Sequence, residues 1–493
     1  DVAYRICPIE RGDAVAKLDE LQSADILRGA RGRKPPDREA IVDALMTLGG
    51  PRGLFTRHCG GIAEFDINPL IVSGDGAVAA DARIVLGQGV GDHKARHEGE
   101  PANFDALFKP RTIAVAGASA TATLPGNRFI RALRAYGFEG EIYPIHPSAE
   151  VIEGLPAYVS FGAVGQDIDF AYIGVAAARV NELLAGAAGN VRFAQIISSG
   201  FSEATGDDAL EAELLRTAGA QKMRLLGPNC MGTHSPRGRM TFIGGVSSEP
   251  GKVGVVSQSG GIGMDIMRRG EALGLRFSGV VTNGNSIDVA PHELLRHFLD
   301  DAETKVIGFY LEDIKHGRDF VEALQANESG KPIVLLTGGL TSAGRKAAGS
   351  HTGAMTTDAH VWQALARQTG AHLTMDLDTF LNTLLIFQAL APRASGQSRS
   401  AVLFGNGGGT SVLGTDHIAR AGFHLAAMPK ELRRRLNGLG VPDWVALDNP
   451  LDIPAVELKE NDGATAGAII ASVLDEVRPD VLVVHLNIAV ILG

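Results

Sequence analysis

The segment Gly349-Ser350-His351-Thr352-Gly353-Ala354-Met355 sets one histidine among residues too small to crowd it. It follows a strand-like apolar run, Pro332–Thr337, and a small-residue, basic stretch, Gly338–Ala348. A helix is expected from about Thr357, where apolar residues take up helical spacing. A histidine on a pliable loop at a strand's carboxyl end can reach beyond its own domain. In open α/β sheets that end is where ligands sit. Taken alone, such a histidine is more often a solvated loop residue; the rest of the chain weighs against that reading.

Two glycine- and serine-rich turns run from strand-like into helix-like residues. Val253–Val256 leads into Ser257-Gln258-Ser259-Gly260-Gly261, and Ala401–Phe404 into Gly405-Asn406-Gly407-Gly408-Gly409-Thr410, with a helix expected over Ser411–Ala421. Free N–H groups and the positive helix end converge at such starts, which makes each an anion site. Between them, an expected strand over Lys305–Leu311 ends in Glu312. An ordinary helix-start acid is an equal reading there. Asp66 and Asn68 alternate onto one face of an expected strand, Ile62–Val72, and Asp81 lies on its hairpin partner, Ala77–Val85, across the turn Ser73–Gly76. Such hard oxygen ligands suit Mg²⁺ held jointly with nucleotide phosphates, although a similar trio is more often plain rim polarity.

The elements that must position these residues read as α/β throughout. Residues 1–86 form an α+β piece: a strand over Val2–Ile9, helices over Asp13–Leu21 and Asp37–Leu48, then the hairpin. Residues 87–101 are glycine-rich, charged and aperiodic, a linker. Residues 102–245 read as a Rossmann-like domain, with strands over Thr112–Ala116, Glu141–Ile145, Asp169–Val175 and Phe193–Ser198 and the turn Gly117-Ala118-Ser119. The full GxGxxG fingerprint is absent, and the second strand ends in His146-Pro147 where a dinucleotide enzyme wants an acid for the ribose. A nucleotide-containing ligand fits; NAD does not. Residues 246–392 form a second α/β unit and 398–493 a third.

Composition narrows the rest. The 493 residues suit about three domains. A net charge of −10 argues against nucleic acid as a partner, since phosphate backbones need a basic face. Cys7, Cys59 and Cys230 form no CxxC pair, so neither a disulfide framework nor a zinc site is expected, and small buried residues are. No apolar run spans a bilayer and no signal peptide opens the chain, so a cytoplasmic setting without membrane contact is expected. The start at Asp1 and the stop at Gly493, just after a strand-like run, read as a piece of a longer polypeptide.

Several segments in order, Ile197–Glu203 (ISSGFSE), Leu226–Gly232 (LGPNCMG), Val255–Gly261 (VVSQSGG), Gly349–Met355 (GSHTGAM) and Phe404–Thr410 (FGNGGGT), resemble the nucleoside-diphosphate-forming acyl-CoA synthetases. Residues 1–86 are similar to the carboxyl end of that family's ATP-grasp subunit, notably Glu64–Leu70 and Ala80–Ile84. The resemblance implies an ATP-grasp tail, a Rossmann-like CoA-binding domain and two flavodoxin-like ligase domains. It also implies acid–CoA ligation with release of ADP and phosphate. His351 would carry the phosphoryl group, Glu312 would orient it at the acyl-phosphate site, and Asp66 would receive it near the nucleotide. Asn68 and Asp81 would hold Mg²⁺. Ser257, Gln258, Ser259, Gly260 and Gly261 would bind phosphate at the acyl site, and Gly407, Gly408, Gly409 and Thr410 at the nucleotide site. Gly117, Ala118, Ser119, Ser198, Ser199, Gly200 and Asn229 would contact CoA.

The resemblance also implies that ATP use needs the ATP-grasp front, from the same or another chain, and that an oligomer forms. The chain departs from the family pattern at His146-Pro147-Ser148, Ala176, Thr337-Gly338-Gly339 and Thr356-Thr357. A regulatory CoA-binding module is the alternative reading. His351 together with Glu312 speaks against it, because a module that only binds needs neither.

Overall fold

The computed structural model describes residues 2–29, 35–58, 60–87, 103–344, 346, 357–390, 399–439, 441–442 and 444–487. Two compact units result, Asp1–Pro392 and Arg393–Gly493. His351 and the whole of Gly349–Met355 lie outside the described residues.

The first sheet is built of near-continuous apolar runs, as a parallel sheet covered on both faces requires. Thr112–Ala116 is flanked by Glu141–Ile145 on one side, and on the other by Ile168–Ile173, Val191–Ile196 and Arg224–Leu226, all parallel. A single parallel bridge from Ile145 to Tyr158 stands where one more strand belongs. It is held by His146 N–H to Tyr158 O (2.8 Å) and Tyr158 N–H to Pro144 O (2.9 Å). With that bridge counted, the order is the Rossmann 3-2-1-4-5-6, whose reversal of winding falls between Thr112–Ala116 and Ile168–Ile173.

The second sheet runs Phe277–Thr282, Val253–Ser257, Val306–Leu311, Ile333–Thr337, His372–Thr374, parallel throughout. This is the flavodoxin-like order 2-1-3-4-5, with its reversal between Val253–Ser257 and Val306–Leu311. Gly232–His234, arriving straight from the Rossmann sheet's last turn, adds an antiparallel edge beside Phe277–Thr282. The two sheets share one apolar core: Ile113, Val115, Phe129 and Phe193 from the first are continuous with Val256, Phe298, Ile307 and Phe309 from the second. Polar ties reinforce it. Arg224 meets Asp288 (3.1 Å) and Glu293 (3.0 Å), both from the side of the second sheet.

In the amino-terminal piece the strand expected over Val2–Ile9 does not form. Its backbone is met by a side chain instead: Ile6 N–H donates to Gln368 Oε1 (2.8 Å), and Gln368 Nε2 donates back to Ile6 O (3.0 Å). Helices occupy Arg11–Asp19 and Arg38–Gly49, the second capped by Asp37, which accepts from Ala40 N–H at 3.0 Å. The two expected hairpin strands are each broken in two, giving Ile62–Ile67, Leu70–Ser73, Gly76–Ala79 and Ala82–Leu86. The break follows from Pro69, which has no N–H for a ladder.

The second unit is a parallel sheet around Ser400–Gly405. Val481–His485 lies along one edge, with the short strands His424–Leu425 and Leu451–Asp452 on the other. Asn449 knits that edge, accepting from Leu403 N–H (3.0 Å) and donating to Ala401 O (2.8 Å) and Ala426 O (3.0 Å).

Asp301 ends the helix Pro291–Asp300 under Arg237 (2.9 Å) and the Thr304 hydroxyl (2.6 Å). Burial alone would raise its carboxyl, but these partners outweigh it and hold the group well below the ordinary carboxylate range. A depressed folded-state value contributes stability that is fully present above the unfolded value of about 3.9 and is lost as pH falls from there through the folded-state value. Asp301→Asn should therefore lower Tm at pH 7 and flatten the acid limb, the two curves drawing together as the pH falls. Thermal unfolding across pH checks this; parallel curves would refute it.

Candidate active site

Three loops meet at the reversal point of the Rossmann sheet. Gly117 has φ +93°, and a Cβ there would sit 2.2 Å from Gly174 O, so only glycine lets the turn pass. The turn's shape is then set by Asn127, 2% exposed, whose Oδ1 accepts from Ser119 N–H (2.9 Å) and whose Nδ2 donates to Ser119 O (2.9 Å). Gly126 lets the helix Pro125–Tyr136 approach, because a Cβ would lie 2.7 Å from Ala118 N. Next along, the Ser198 hydroxyl donates to Val175 O, and Asn229 N–H to Ser198 O at 3.0 Å. Gly117–Ser119, Ser198–Gly200 and Asn229 thus come together at one sheet end. His146 is used locally, its Nδ1 accepting from Ser148 N–H (3.2 Å) and Ala149 N–H (2.9 Å).

The second sheet's reversal point holds the second cluster. Ser259 caps the helix Gly260–Ala272, accepting from Ile262 N–H at 3.3 Å, and the buried Ser257 hydroxyl donates to Ser259 O at 2.7 Å. Gln258 crosses to the neighbouring strand end. Its Oε1 accepts from the Glu312 and Asp313 N–H groups, and its Nε2 donates to Asp313 O and Oδ1 (2.9 Å each). Glu312 is 7% exposed; its Oε1 accepts from the Tyr310 hydroxyl at 3.0 Å, while Oε2 is buried and has no partner among the described residues. Burial first, then the adjacent Glu312 charge, pushes the Tyr310 hydroxyl up, so it remains a donor. Gly338 packs against both, since a Cβ would lie 3.0 Å from Tyr310 Oη and 3.3 Å from Glu312 Cγ. Cys230 is fully buried and its thiol is raised by that burial, which leaves it inert.

Asp66, Asn68 and Asp81 are exposed on the amino-terminal piece. Asn68 N–H donates to Asp81 O (3.2 Å), which sets those two residues opposite each other, and Asp81 Oδ1 accepts from Ala82 N–H (2.9 Å). The pair offers two hard oxygens to solvent, a donor set that fits Mg²⁺ with its retained waters. Among the described residues no group of three or more His, Cys, Asp or Glu is arranged for a metal.

In the second unit Gly407 (φ +116°) and Gly408–Thr410 open the helix Gly408–Arg420 and are exposed. Sequence reading passed over two residues there. Asp452 Oδ1 accepts from Gly407 N–H (2.7 Å), and His485 Nε2 pairs with the Ser411 hydroxyl (3.1 Å). Asp452 closes a two-residue strand, too short for any periodicity to flag it. Tyr310 and Asn127 were hidden in the same way, each within a segment that reads as plain strand or helix.

The fold and these clusters define the class. Residues 111–236 match the model of a CoA binding domain, 250–387 that of a succinyl-CoA ligase like flavodoxin domain, and 1–86 that of an ATP-grasp domain. The chain is 36% identical over 487 residues to acetate–CoA ligase (ADP-forming) II of Archaeoglobus fulgidus, covering 97% of this chain and 69% of that protein. It is 33% identical to the alpha subunit of acetate–CoA ligase (ADP-forming) I of Pyrococcus furiosus, across 74% of this chain and 80% of that one. A solved structure of acetyl-coenzyme A synthetase 1 from Ca. Korarchaeum cryptofilum, in complex with phosphate and ADP, superposes with a TM-score of 0.67 at 29% identity, covering 78% of this chain and 89% of that one. The chain belongs to the family of ADP-forming acyl-CoA synthetases.

Gly117→Ala should force the turn off Gly174 at a cost of about 1–3 kcal/mol, lowering Tm by roughly 1–4 °C in a unit of this size. Calorimetry of the variant measures this directly, and an unchanged Tm would mean that the turn relaxes freely.

Proposed function

We propose that this chain carries the acid-activating and CoA-accepting parts of an ADP-forming acid–CoA ligase. The γ-phosphoryl group of ATP passes to an imidazole nitrogen of His351, releasing ADP. It then passes to a substrate carboxylate, giving an acyl phosphate and freeing the histidine. The CoA sulfur attacks the acyl carbon, phosphate leaves, and the thiol proton goes to solvent. Imidazole suits the relay, being nucleophilic near neutrality and a ready leaving group from phosphorus.

The observation that carries this reading is Glu312. A buried carboxylate oxygen with no partner among the described residues, beside a serine-capped helix start, is costly unless a cationic or N–H group comes to it. A histidine N–H is such a group, and His351 follows the adjacent strand, Ile333–Thr337, in the sequence. In this reading Ser257–Gly261 receives the phosphate at the acyl site, and Gly407–Thr410 offers a second phosphate cradle. Gly117–Ser119, Ser198–Gly200 and Asn229 hold CoA. Asp66 receives His351 on the nucleotide side. Asn68 and Asp81 would hold Mg²⁺, which when bound neutralises phosphate charge on the nucleotide. The nucleotide-binding front of the ATP-grasp fold then comes from the same or another chain. Among the described residues no helix is long and apolar enough to cross a membrane.

The test uses the complete enzyme with γ-labelled ATP and Mg²⁺. An acid-labile, base-stable label should map to the His351 peptide and be discharged by the cognate acid plus CoA. His351→Asn should abolish the label and the ligase activity while CoA still binds. Full activity in that variant would end the relay reading in favour of a CoA-binding module. Glu312→Gln should slow acyl-phosphate chemistry by roughly a hundredfold or more, and labelling from ATP far less. Equal loss in both half-reactions would make Glu312 structural.

A further inference from the structure

The loop Asn283–Val289 of the ligase sheet is threaded into the turn Gly227–Cys230 of the Rossmann sheet. Asn285 N–H donates to Pro228 O at 3.0 Å. A Cβ at Gly284 would lie 2.2 Å from Pro228 O and 2.4 Å from Asn229 O. On the other side Lys315, three residues beyond Glu312, donates to Asn285 O at 2.6 Å. Asn285 is therefore fixed in the backbone between the two reversal points.

Its side chain has only one chemically sensible orientation. Asn285 Nδ2 lies 2.6 Å from Glu203 Oε2 and 2.8 Å from Glu211 Oε1. Two carboxylates accept only, so the amide must turn its two N–H bonds to them. Glu203 is otherwise held by Gly200 N–H (2.7 Å) and Phe201 N–H (3.3 Å), and Glu211 by the Ser202 hydroxyl (2.7 Å). Burial would raise the Glu203 carboxyl, but the hydrogen bonds from Asn285 and these backbone groups outweigh it and keep it ionised. The orientation then passes on. Asn285 Oδ1 faces Asn229 Nδ2 at 3.4 Å, so Asn229 gives one N–H to Asn285, and among the described residues its own Oδ1 accepts no hydrogen bond.

We propose that Asn285 is a positioning residue for the thiol arm of CoA, orienting Asn229 so that its Oδ1 accepts a hydrogen bond from an N–H or S–H of the arm. The inference rests on the CoA reading of the Rossmann sheet. It adds a direction of polarity, from two acids through two amides to the ligand, that links the CoA loop to the segment carrying Glu312. A flipped Asn229 would present N–H groups to the arm's donors.

The experiment titrates the chain by calorimetry with two probes, CoA and adenosine 3′,5′-bisphosphate, which has the nucleotide end but no arm. Asn285→Ala should weaken CoA binding by about tenfold and leave the bisphosphate within about twofold. In an Asn229→Leu background Asn285→Ala should cost nothing further, because its effect runs through Asn229. Should the alanine variant fail to fold, Asn285→Ser, too short to span both the acids and Asn229, must give the same pattern. Equal losses for both probes, an undiminished CoA affinity, or a further loss in the Asn229→Leu background would each overturn the proposal while leaving the CoA reading intact. If the unaltered chain bound neither probe, the CoA reading would fall and this inference with it.

Discussion

The ligase half of this molecule hangs on one carboxamide. Gln258 leaves the central strand, reaches across the reversal point and takes the first two N–H groups beyond the neighbouring strand into one acceptor, while its own N–H groups bind Asp313. Backbone donors at that bend would otherwise be left to water or left unmet. With them satisfied, the Glu312 side chain is free to project with one oxygen on Tyr310 and the other bare. The same residue sits within the turn that opens the capped helix Gly260–Ala272. Acid and anion cradle are therefore positioned by a single side chain and hold their relative geometry together.

That arrangement leaves little room nearby. Gly338 lets the chain pass over Tyr310 and Glu312, and Gly284 lets the ligase loop enter between the carbonyls of Pro228 and Asn229. The glycine content of the chain is thus partly a record of close backbone approaches at the sheet ends. The shared core beneath explains why those approaches stay in register: the two sheets are seated on common side chains.

Much of this was legible beforehand. The buried strands announced themselves as apolar runs, the helix starts as Ser/Gly turns, and Glu312 by its place after a strand. Elements that depended on distant partners were not legible. The segment at Val2–Ile9 alternates like a strand, yet the backbone of Ile6 at its centre is satisfied by one glutamine more than three hundred residues away. The edge strand Gly232–His234 is three residues long and finds its ladder in the other sheet. Asn285 and Asp452 carry no local signal, because what singles each out is a hydrogen bond across the fold. His351, the residue from which the chemistry was first argued, lies outside the described residues.

The docking of the amino-terminal piece has a further consequence. Its hold on the helix Ala359–Thr369 is made of the Gln368 pair to Ile6, the stack of Tyr4 on His360 at 4.6 Å, and Glu20 between Arg5 and Arg367. None of these contacts needs the peptide link that joins the piece to the Rossmann sheet. The piece is thus held by its own side chains to a helix of the second sheet more than three hundred residues away in sequence, so its seat is set by tertiary contacts and not by chain continuity.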